Sequence, residues 1–204
     1  MSHSAVATHH PRAPRVIVES EPTIAGRLAW LAARLTIWPT LAVGSRLSFV
    51  PWPFGLVDIA ARALLPIPGT VRANVKLPHC GAQLIRAKNV LPADGTGRVV
   101  LYMHGGAFLT CGANTHGRLA TAISRYADAP VLVVNYRIVP KNSVGQAVED
   151  CYDGYRWLTD RGYRPDQIVL AGDSAGGHLG LALAEQLLAE GETPAALVAM
   201  SLLF

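Results

Sequence analysis

The chain has 204 residues, of which 50% are apolar and 16% are charged. That length accommodates one domain with a substantial core, and the composition excludes an intrinsically disordered protein. The net charge of +4 does not indicate a nucleic-acid-binding protein, because the basic residues stand singly and without interleaved aromatic residues. Three cysteines, Cys80, Cys111 and Cys151, are odd in number and lack metal-ligand spacing, so we expect reduced thiols and no metal site.

The sequence predicts three parts. Residues 1–22 are polar and are expected to form a flexible tail; they lack the apolar segment of a signal peptide, which favours a cytoplasmic location. Residues 23–68 are apolar with widely spaced charges and predict a helical cap or lid segment. Residues 69–204 carry the pattern of an α/β core.

The apolar segment has two interpretations. Leu28, Leu31 and Leu35 recur at helical spacing, while the charge-free stretches of 23–65 are too short to span a bilayer. The segment is either a cap lying over an active site or an interfacial helix in peripheral contact with a membrane. The cap is favoured, and one segment can serve both purposes.

Strand and helix patterns alternate from residue 71 onward. Buried or paired strands are predicted at 71–77, 82–88, 99–103, 131–134, 168–171 and from 195 to 203, with helices at 115–127, 143–160 and 177–190. This alternation predicts an α/β fold with a mostly parallel sheet and helices on both faces. Chemistry in such a sheet gathers at the carboxyl ends of the strands.

Two helices carry specific expectations about their faces. The helix at 115–127 places Leu119, Ile123 and Tyr126 on one side. The helix at 177–190 is apolar almost all round, so we expect it to be buried.

A nucleophile motif, Gly-Asp-Ser-Ala-Gly at 172–176, lies directly after a predicted strand and before a predicted helix. A sharp strand-to-helix turn strains the serine backbone and lifts its hydroxyl above the sheet. Gly172 and Gly176 allow the helix to pack closely, and the positive end of the helix dipole faces the site. Ser174 is therefore predicted to be a catalytic nucleophile.

A glycine loop, His-Gly-Gly-Ala-Phe at 104–108, follows another predicted strand. Its backbone N–H groups at Gly105 and Gly106, with that of Ala175, are suited to an oxyanion hole. His104 is expected to brace the loop by hydrogen bonding rather than to act as a general base. Asp173 is expected to fix the turn around the nucleophile, because no histidine is placed for it to orient.

These motifs resemble the hormone-sensitive-lipase branch of the α/β-hydrolases, which includes bacterial carboxylesterases. The stretches that carry the resemblance are HGGAF at 104–108, NYRIVP at 135–140, VED at 148–150, YRWL at 155–158 and GDSAGGHLG at 172–180. The resemblance implies an esterase or lipase acting on short- to medium-chain carboxylic esters through an acyl-enzyme, without metal or organic cofactor. It also implies an N-terminal cap and an oxyanion hole built by Gly106, Ala107 and Ala175.

The chain departs from the family pattern at two positions. Ala107 stands where a third glycine is usual, which a backbone donor tolerates if the φ angle stays negative. Lys141 stands where a glutamate is usual after the YR-x-x-P motif.

The order of the triad leads to a further expectation. In this fold the acid and the histidine follow the serine along the chain. The one histidine after Ser174 is His178, a single helical turn away and in the wrong place to accept the hydroxyl proton. We therefore expect residues 1–204 to be a C-terminally truncated fold, poorly soluble and nearly inactive alone. The alternatives are a non-catalytic small-molecule receptor on the same scaffold and a membrane-surface protein anchored through 23–65.

Overall fold

The computed structural model describes residues 23–28, 30–32, 34–35, 39 and 55–201. The chain divides into two compact units, Met1–Trp52 and Pro53–Phe204. The tail expected at 1–22 lies outside the described residues, as do the last residues of the strand expected to run to 203.

In the first unit, the described residues from 24 to 35 are helical. Thr23 caps this segment, because its side-chain oxygen accepts a hydrogen bond of 3.1 Å from the Gly26 N–H. The expected apolar stripe is exposed: Leu28, Leu31 and Leu35 are 61%, 44% and 66% accessible. No helix among the described residues combines the length and hydrophobicity needed to cross a membrane.

The second unit contains one six-stranded mixed sheet. Its strands are β1 (Val71–Lys76), β2 (Gly81–Arg86), β3 (Val99–Met103), β4 (Val131–Asn135), β5 (Ile168–Asp173) and β6 (Ala196–Met200), and their spatial order is β1-β2-β4-β3-β5-β6. β1 and β2 form an antiparallel hairpin and β2 pairs antiparallel with β4, while β3 to β6 run parallel. The mostly parallel α/β fold predicted from the sequence is confirmed.

Burial on both faces of the sheet explains why the central strands β3 and β4 are continuous apolar runs. All five residues of β3 and the first four of β4 are buried. Continuous runs of Val, Leu, Tyr and Met suit strands covered on both sides, whereas a half-exposed strand alternates polar with apolar residues.

The described residues of the second unit contain four helices, α1 (Gly55–Ala60), α2 (Gly117–Ala127), α3 (Val144–Thr159) and α4 (Ala175–Ala189), with short 3₁₀ turns at Ala61–Ala63 and Pro165–Gln167. α2, α3 and α4 pack on the sheet, whereas α1 has no buried residue. α3 begins at a capping box, in which Ser143 and Gln146 exchange hydrogen bonds of 2.9 and 3.2 Å. Side chains of α3 and α4 join one apolar core and those of α2 join a second, so helices lie on both faces of the sheet.

The face that α2 buries differs from its most apolar face. Of the three apolar residues predicted to share a face, Ile123 packs against the second core, whereas Tyr126 is 85% exposed and Leu119 is 40% exposed. The buried positions are instead small: Gly117, Ala120, Thr121 and Ser124. Small residues allow the helix to approach the sheet closely, and the large side chains of Leu119 and Tyr126 are left partly or largely exposed.

The helix after the nucleophile, which was expected to be buried, is buried on one face only. Leu179, Leu183 and Leu187 of α4 are fully buried, but Leu181 and Leu188 on other faces are 43% and 58% exposed. α4 packs on the sheet and on α3, and neither neighbour covers its remaining surface.

Candidate active site

Ser174 lies between β5 and α4, at the carboxyl end of the sheet. Its φ and ψ angles are 50° and −118°, outside the regions that non-glycine residues ordinarily occupy. Such a conformation costs on the order of 1–3 kcal/mol. The surroundings hold it in place: the Ser174 N–H donates a 2.8 Å hydrogen bond to the Met200 carbonyl oxygen of the neighbouring strand β6. The strained strand-to-helix turn predicted from the sequence is present.

The nucleophile turn packs directly against the glycine loop. A β-carbon added at Gly176 would overlap the carbonyl oxygen of Met103, and one added at Gly105 would overlap the Asp173 carboxylate. β3 and β5 are adjacent parallel strands with Met103 opposite Gly172, so both segments leave the sheet side by side. The sequence motifs at 104–108 and 172–176 therefore form one site.

Asp173 joins the two segments. Its Oδ1 accepts hydrogen bonds from the Tyr102 hydroxyl at 2.7 Å and from the Gly105 N–H at 2.9 Å. His116 Nε2 lies 3.5 Å from the Asp173 Oδ2. Burial raises the pKa of Asp173, but hydrogen bonds from His116, Tyr102 and Gly105 outweigh it and lower the pKa to about 2.

This contact corrects one expectation about the oxyanion hole. The Gly105 N–H already donates to Asp173, so it is not directed at a substrate oxygen. Because the Gly105 N–H is used in this way, the candidate oxyanion donors are the N–H groups of Gly106, Ala107 and Ala175.

The lowered pKa of Asp173 makes its contribution to stability dependent on pH. A folded-state pKa of about 2, below the ordinary value near 4, stabilises the fold above pH ~4, and this stabilisation is lost as the pH falls toward 2. The shift corresponds to about 2 kcal/mol. We expect Asp173→Asn to lower the free energy of unfolding by about that amount at pH 6, and to differ little from the unaltered chain at pH 2. Urea unfolding at several pH values measures this; equal destabilisation at both pH values would contradict it.

His104 is buried and neutral. Its ring stacks on Tyr136 at a centroid distance of 4.2 Å, and its Nδ1 lies 2.8 Å from the Gly105 carbonyl oxygen. The Tyr136 hydroxyl donates to the His104 carbonyl oxygen at 2.7 Å. Burial lowers the pKa of His104 to about 4. These contacts hold the start of the glycine loop.

The backbone of Ala107 differs from the expectation of a negative φ angle. Ala107 and Phe108 have φ angles of 53° and 61°. The chain bends tightly here, because the N–H groups of Leu109 and Thr110 both donate to the Gly106 carbonyl oxygen, at 2.9 and 3.1 Å. Left-handed backbone costs a residue with a β-carbon roughly 1–2 kcal/mol, which a glycine would avoid.

Three residues of the site were not found from the sequence: Tyr102, His116 and Asp58. Tyr102 reads as part of a buried strand and His116 as an ordinary residue at the start of a helix. The Asp58 carboxylate accepts hydrogen bonds from Asn114 and Thr115, immediately before His116. Only the tertiary contacts reveal these roles, because the partners are 56 to 71 residues apart along the chain.

His178 has no geometry for activating Ser174. Its side chain is exposed and meets Phe108 edge to face, with ring centroids 6.1 Å apart. Its N–H donates within the helix to the Ser174 carbonyl oxygen at 3.3 Å.

One group of side chains in the described part of the chain has the composition of a metal site. Ligand atoms of His79, Asp150 and Asp153 lie within 4.8 Å of one another. The Asp150 carboxylate, however, already accepts hydrogen bonds from Arg137, at 3.0 Å from Nε and at 2.7 Å from the backbone N–H. This group is accounted for by an ion pair that joins the end of β4 to α3.

Comparison with known proteins agrees with this geometry. A family described by the α/β-hydrolase fold matches residues 100–203. The chain is 65% identical to the esterase LipU of Mycobacterium tuberculosis over 82% of this chain and 56% of that protein. It is 58% identical to the carboxylesterase/phospholipase LipF of the same organism over 93% of this chain and 51% of that protein.

A solved structure gives the same result. An esterase from the bacterial hormone-sensitive lipase family superimposes with a TM-score of 0.65 at 32% sequence identity, covering 72% of this chain and 48% of that one. The chain spans about half the length of the curated relatives it matches. It belongs to the α/β-hydrolase family, in the hormone-sensitive-lipase-like branch that its motifs predict.

Proposed function

We propose that Ser174 is the nucleophile of a serine esterase that hydrolyses carboxylic esters. The observation that carries the proposal is the strained Ser174 backbone packed against the glycine loop, with Asp173 hydrogen-bonded across the junction to Gly105. A serine held at the carboxyl end of the sheet, beside a loop of backbone donors, is the arrangement that acyl transfer requires.

The proposed reaction proceeds through an acyl-enzyme. The Ser174 hydroxyl attacks the ester carbonyl and gives its proton to a histidine base, while backbone N–H groups of Gly106, Ala107 and Ala175 stabilise the developing oxyanion. The C–O bond to the alcohol then breaks, the histidine returns the proton to the departing alcohol, and the acyl group remains on Ser174. Water then releases the acyl group. Asp173 and His104 take no part in the bond changes; they keep the donor loop and the nucleophile in register.

A histidine acting as general base is the remaining requirement. We propose that none of the three histidines near the glycine loop supplies it, because His104 is buried against Tyr136, His116 faces Asp173 and His178 is exposed against Phe108. A chain of residues 1–204 is therefore expected to have little activity alone. We propose that the acid and the histidine lie in a segment equivalent to the part of LipU that this chain does not match, and residues 1–204 joined to that segment are called the extended enzyme.

The substrate class follows from the relatives and from the surface of the first unit. Relatives named esterase, carboxylesterase and phospholipase support ester or lipid substrates. A short to medium acyl length is proposed from the resemblance of the motifs alone. The exposed apolar side chains of Ile24, Leu28 and Trp30 support peripheral contact of this segment with a lipid surface.

Labelling with a fluorophosphonate distinguishes an esterase from a non-catalytic receptor. This reagent phosphonylates only a serine whose hydroxyl is activated. We expect mass spectrometry of the labelled extended enzyme to place the adduct on Ser174, and a Ser201→Ala variant to be labelled equally. An extended enzyme that folds but remains unlabelled would support the receptor instead.

A further inference from the structure

The turn at residues 112–116 sits on the carboxylate of Asp58. The Asp58 Oδ1 accepts hydrogen bonds from the Asn114 N–H at 3.1 Å and the Thr115 N–H at 2.9 Å, and its Oδ2 accepts from the Asn114 side-chain amide at 2.6 Å. A β-carbon at Gly112 would lie 2.6 Å from the Asp58 carboxyl carbon. Two backbone N–H groups and one side-chain amide of this turn thus bind one half-buried carboxylate.

The helix that carries Asp58 has little other attachment. α1 contains no buried residue, and its apolar side chains Leu56, Val57 and Ile59 are 56%, 47% and 52% exposed. Hydrogen bonding at Asp58, rather than apolar packing, therefore ties α1 to the 112–116 turn. α1 lies near the end of the apolar segment that the sequence predicts to be a cap.

The same turn is connected to the glycine loop at 104–108 through His116 and Asp173. Its last residue, His116, directs Nε2 at the Asp173 Oδ2, 3.5 Å away, and its Nδ1 lies 3.2 Å from the Gly112 carbonyl oxygen. The Asp173 Oδ1 in turn accepts from the Gly105 N–H at 2.9 Å. A continuous series of polar contacts thus runs from α1 through the turn and His116 to the loop beside Ser174.

We propose that Asp58 is a positioning residue, which fixes the 112–116 turn so that His116 and Asp173 hold the glycine loop at 104–108. Asp58 thereby couples the end of the cap segment to the catalytic machinery. The proposal rests on the proposed function only for its catalytic consequence; the structural coupling stands independently of it. Asp58 contacts neither Ser174 nor the proposed oxyanion donors, so it acts through other residues.

Amide hydrogen exchange in the 204-residue chain tests the coupling. In Asp58→Asn, a side-chain NH₂ group replaces one of the carboxylate oxygens that accept hydrogen bonds from Asn114 and Thr115. We expect this change to increase the rate of amide hydrogen exchange about tenfold both at 112–116 and at 104–108. His116→Phe keeps a ring but removes both the Nε2 contact to Asp173 and the Nδ1 contact to the Gly112 carbonyl oxygen. Because the hydrogen bonds to Asp58 remain, it should increase exchange at 104–108 with less effect at Asn114 and Thr115. The matched control is Asp94→Asn, because Asp94 also accepts from a backbone N–H and a threonine hydroxyl but lies in a remote turn.

The outcomes separate cleanly. Faster exchange confined to 112–116 in Asp58→Asn would overturn the coupling, since Asp58 would then be a local cap only. If Asp58→Asn does not fold, Gly112→Ala displaces the same carboxylate from the other side and is expected to give the same exchange pattern.

The catalytic consequence is measured in the extended enzyme. Asp58→Asn is expected to lower kcat about tenfold and to leave KM within about twofold, because a displaced oxyanion donor weakens transition-state binding more than substrate binding. An unchanged kcat alongside faster exchange at 104–108 would contradict the positioning role. If Ser174 in the unaltered extended enzyme takes up no fluorophosphonate, it is the proposed function that fails, and the exchange result still decides the coupling.

Discussion

Replacing Ser174 by alanine is expected to lower kcat of the extended enzyme for nitrophenyl butyrate on the order of 10⁶-fold, because no other hydroxyl occupies the position from which the acyl-enzyme forms. The residual rate should reflect the oxyanion donors and substrate binding alone. Stability should change little, since alanine retains the strained φ angle of 50° and loses only a hydroxyl. Steady-state kinetics together with urea unfolding separate these two effects.

The matched control is Ser201→Ala. Ser201 is also a serine with a positive φ angle, 46°, but it is exposed at the end of β6. It should retain the full rate. In residues 1–204 alone, both variants and the unaltered chain are expected to remain near the uncatalysed rate. Turnover by this shorter chain that disappears in Ser174→Ala would show that a general base lies within these residues, contrary to the proposal.

Gly176→Ala is expected to destabilise the fold by at least about 4 kcal/mol, in the range reached only by severe packing defects. Helix propensity alone predicts the opposite, a gain of up to about 1 kcal/mol for alanine over glycine in α4. Packing dominates because the new methyl group would overlap the carbonyl oxygen of Met103, which belongs to the backbone of a central strand. The strand cannot move without losing its hydrogen bonds to β4 and β5. Typical domains are stable by only about 5–15 kcal/mol, so much of the margin is lost.

The control for this substitution is Gly145→Ala, in the first turn of α3. A β-carbon there would lie 3.7 Å from the Ser143 side-chain oxygen, an ordinary contact. It should therefore stabilise by about 0.5–1 kcal/mol, as helix propensity predicts. Urea unfolding of the three proteins measures the difference. A Gly176→Ala variant as stable as the unaltered chain would contradict the close packing of the nucleophile turn against the glycine loop.

Most of the sheet could be predicted because its signals are local. β3 is a run of five apolar residues that is buried on both faces, and its observed bounds equal the predicted ones. The nucleophile turn also follows from local sequence, since a strand, a G-x-S-x-G and a helix occur in immediate succession. In both cases neighbouring residues alone determine the structure.

The remaining features depend on contacts between distant residues. The buried face of α2 consists of Ala120, Thr121 and Ser124, which pattern analysis does not distinguish from a solvent-facing stripe. The role of Gly105 was misjudged for a similar reason: its N–H donates to a carboxylate 68 residues away. Polar side chains that join separate segments, such as Asp58 and His116, have no periodicity by which a sequence could reveal them.

The overlap that excludes a side chain at Gly176 bears on how this protein can diversify. The turn that carries the nucleophile and the beginning of the glycine loop contact each other through main-chain atoms, so the backbone of one cannot change during evolution without a change in the other. Residues 107–111 are different, because Leu109 and Thr110 donate back to the Gly106 carbonyl oxygen, and Phe108 is joined to the rest of the fold by a hydrogen bond from the Val139 N–H and by side-chain packing rather than by main-chain overlap. Sequence differences that alter ligand preference among relatives should therefore accumulate in that short arc, residues 107–111. The backbone at Gly105 and Gly176 should stay unchanged. An alignment that finds insertions at 105 or 176, but a constant arc, would be inconsistent with this division.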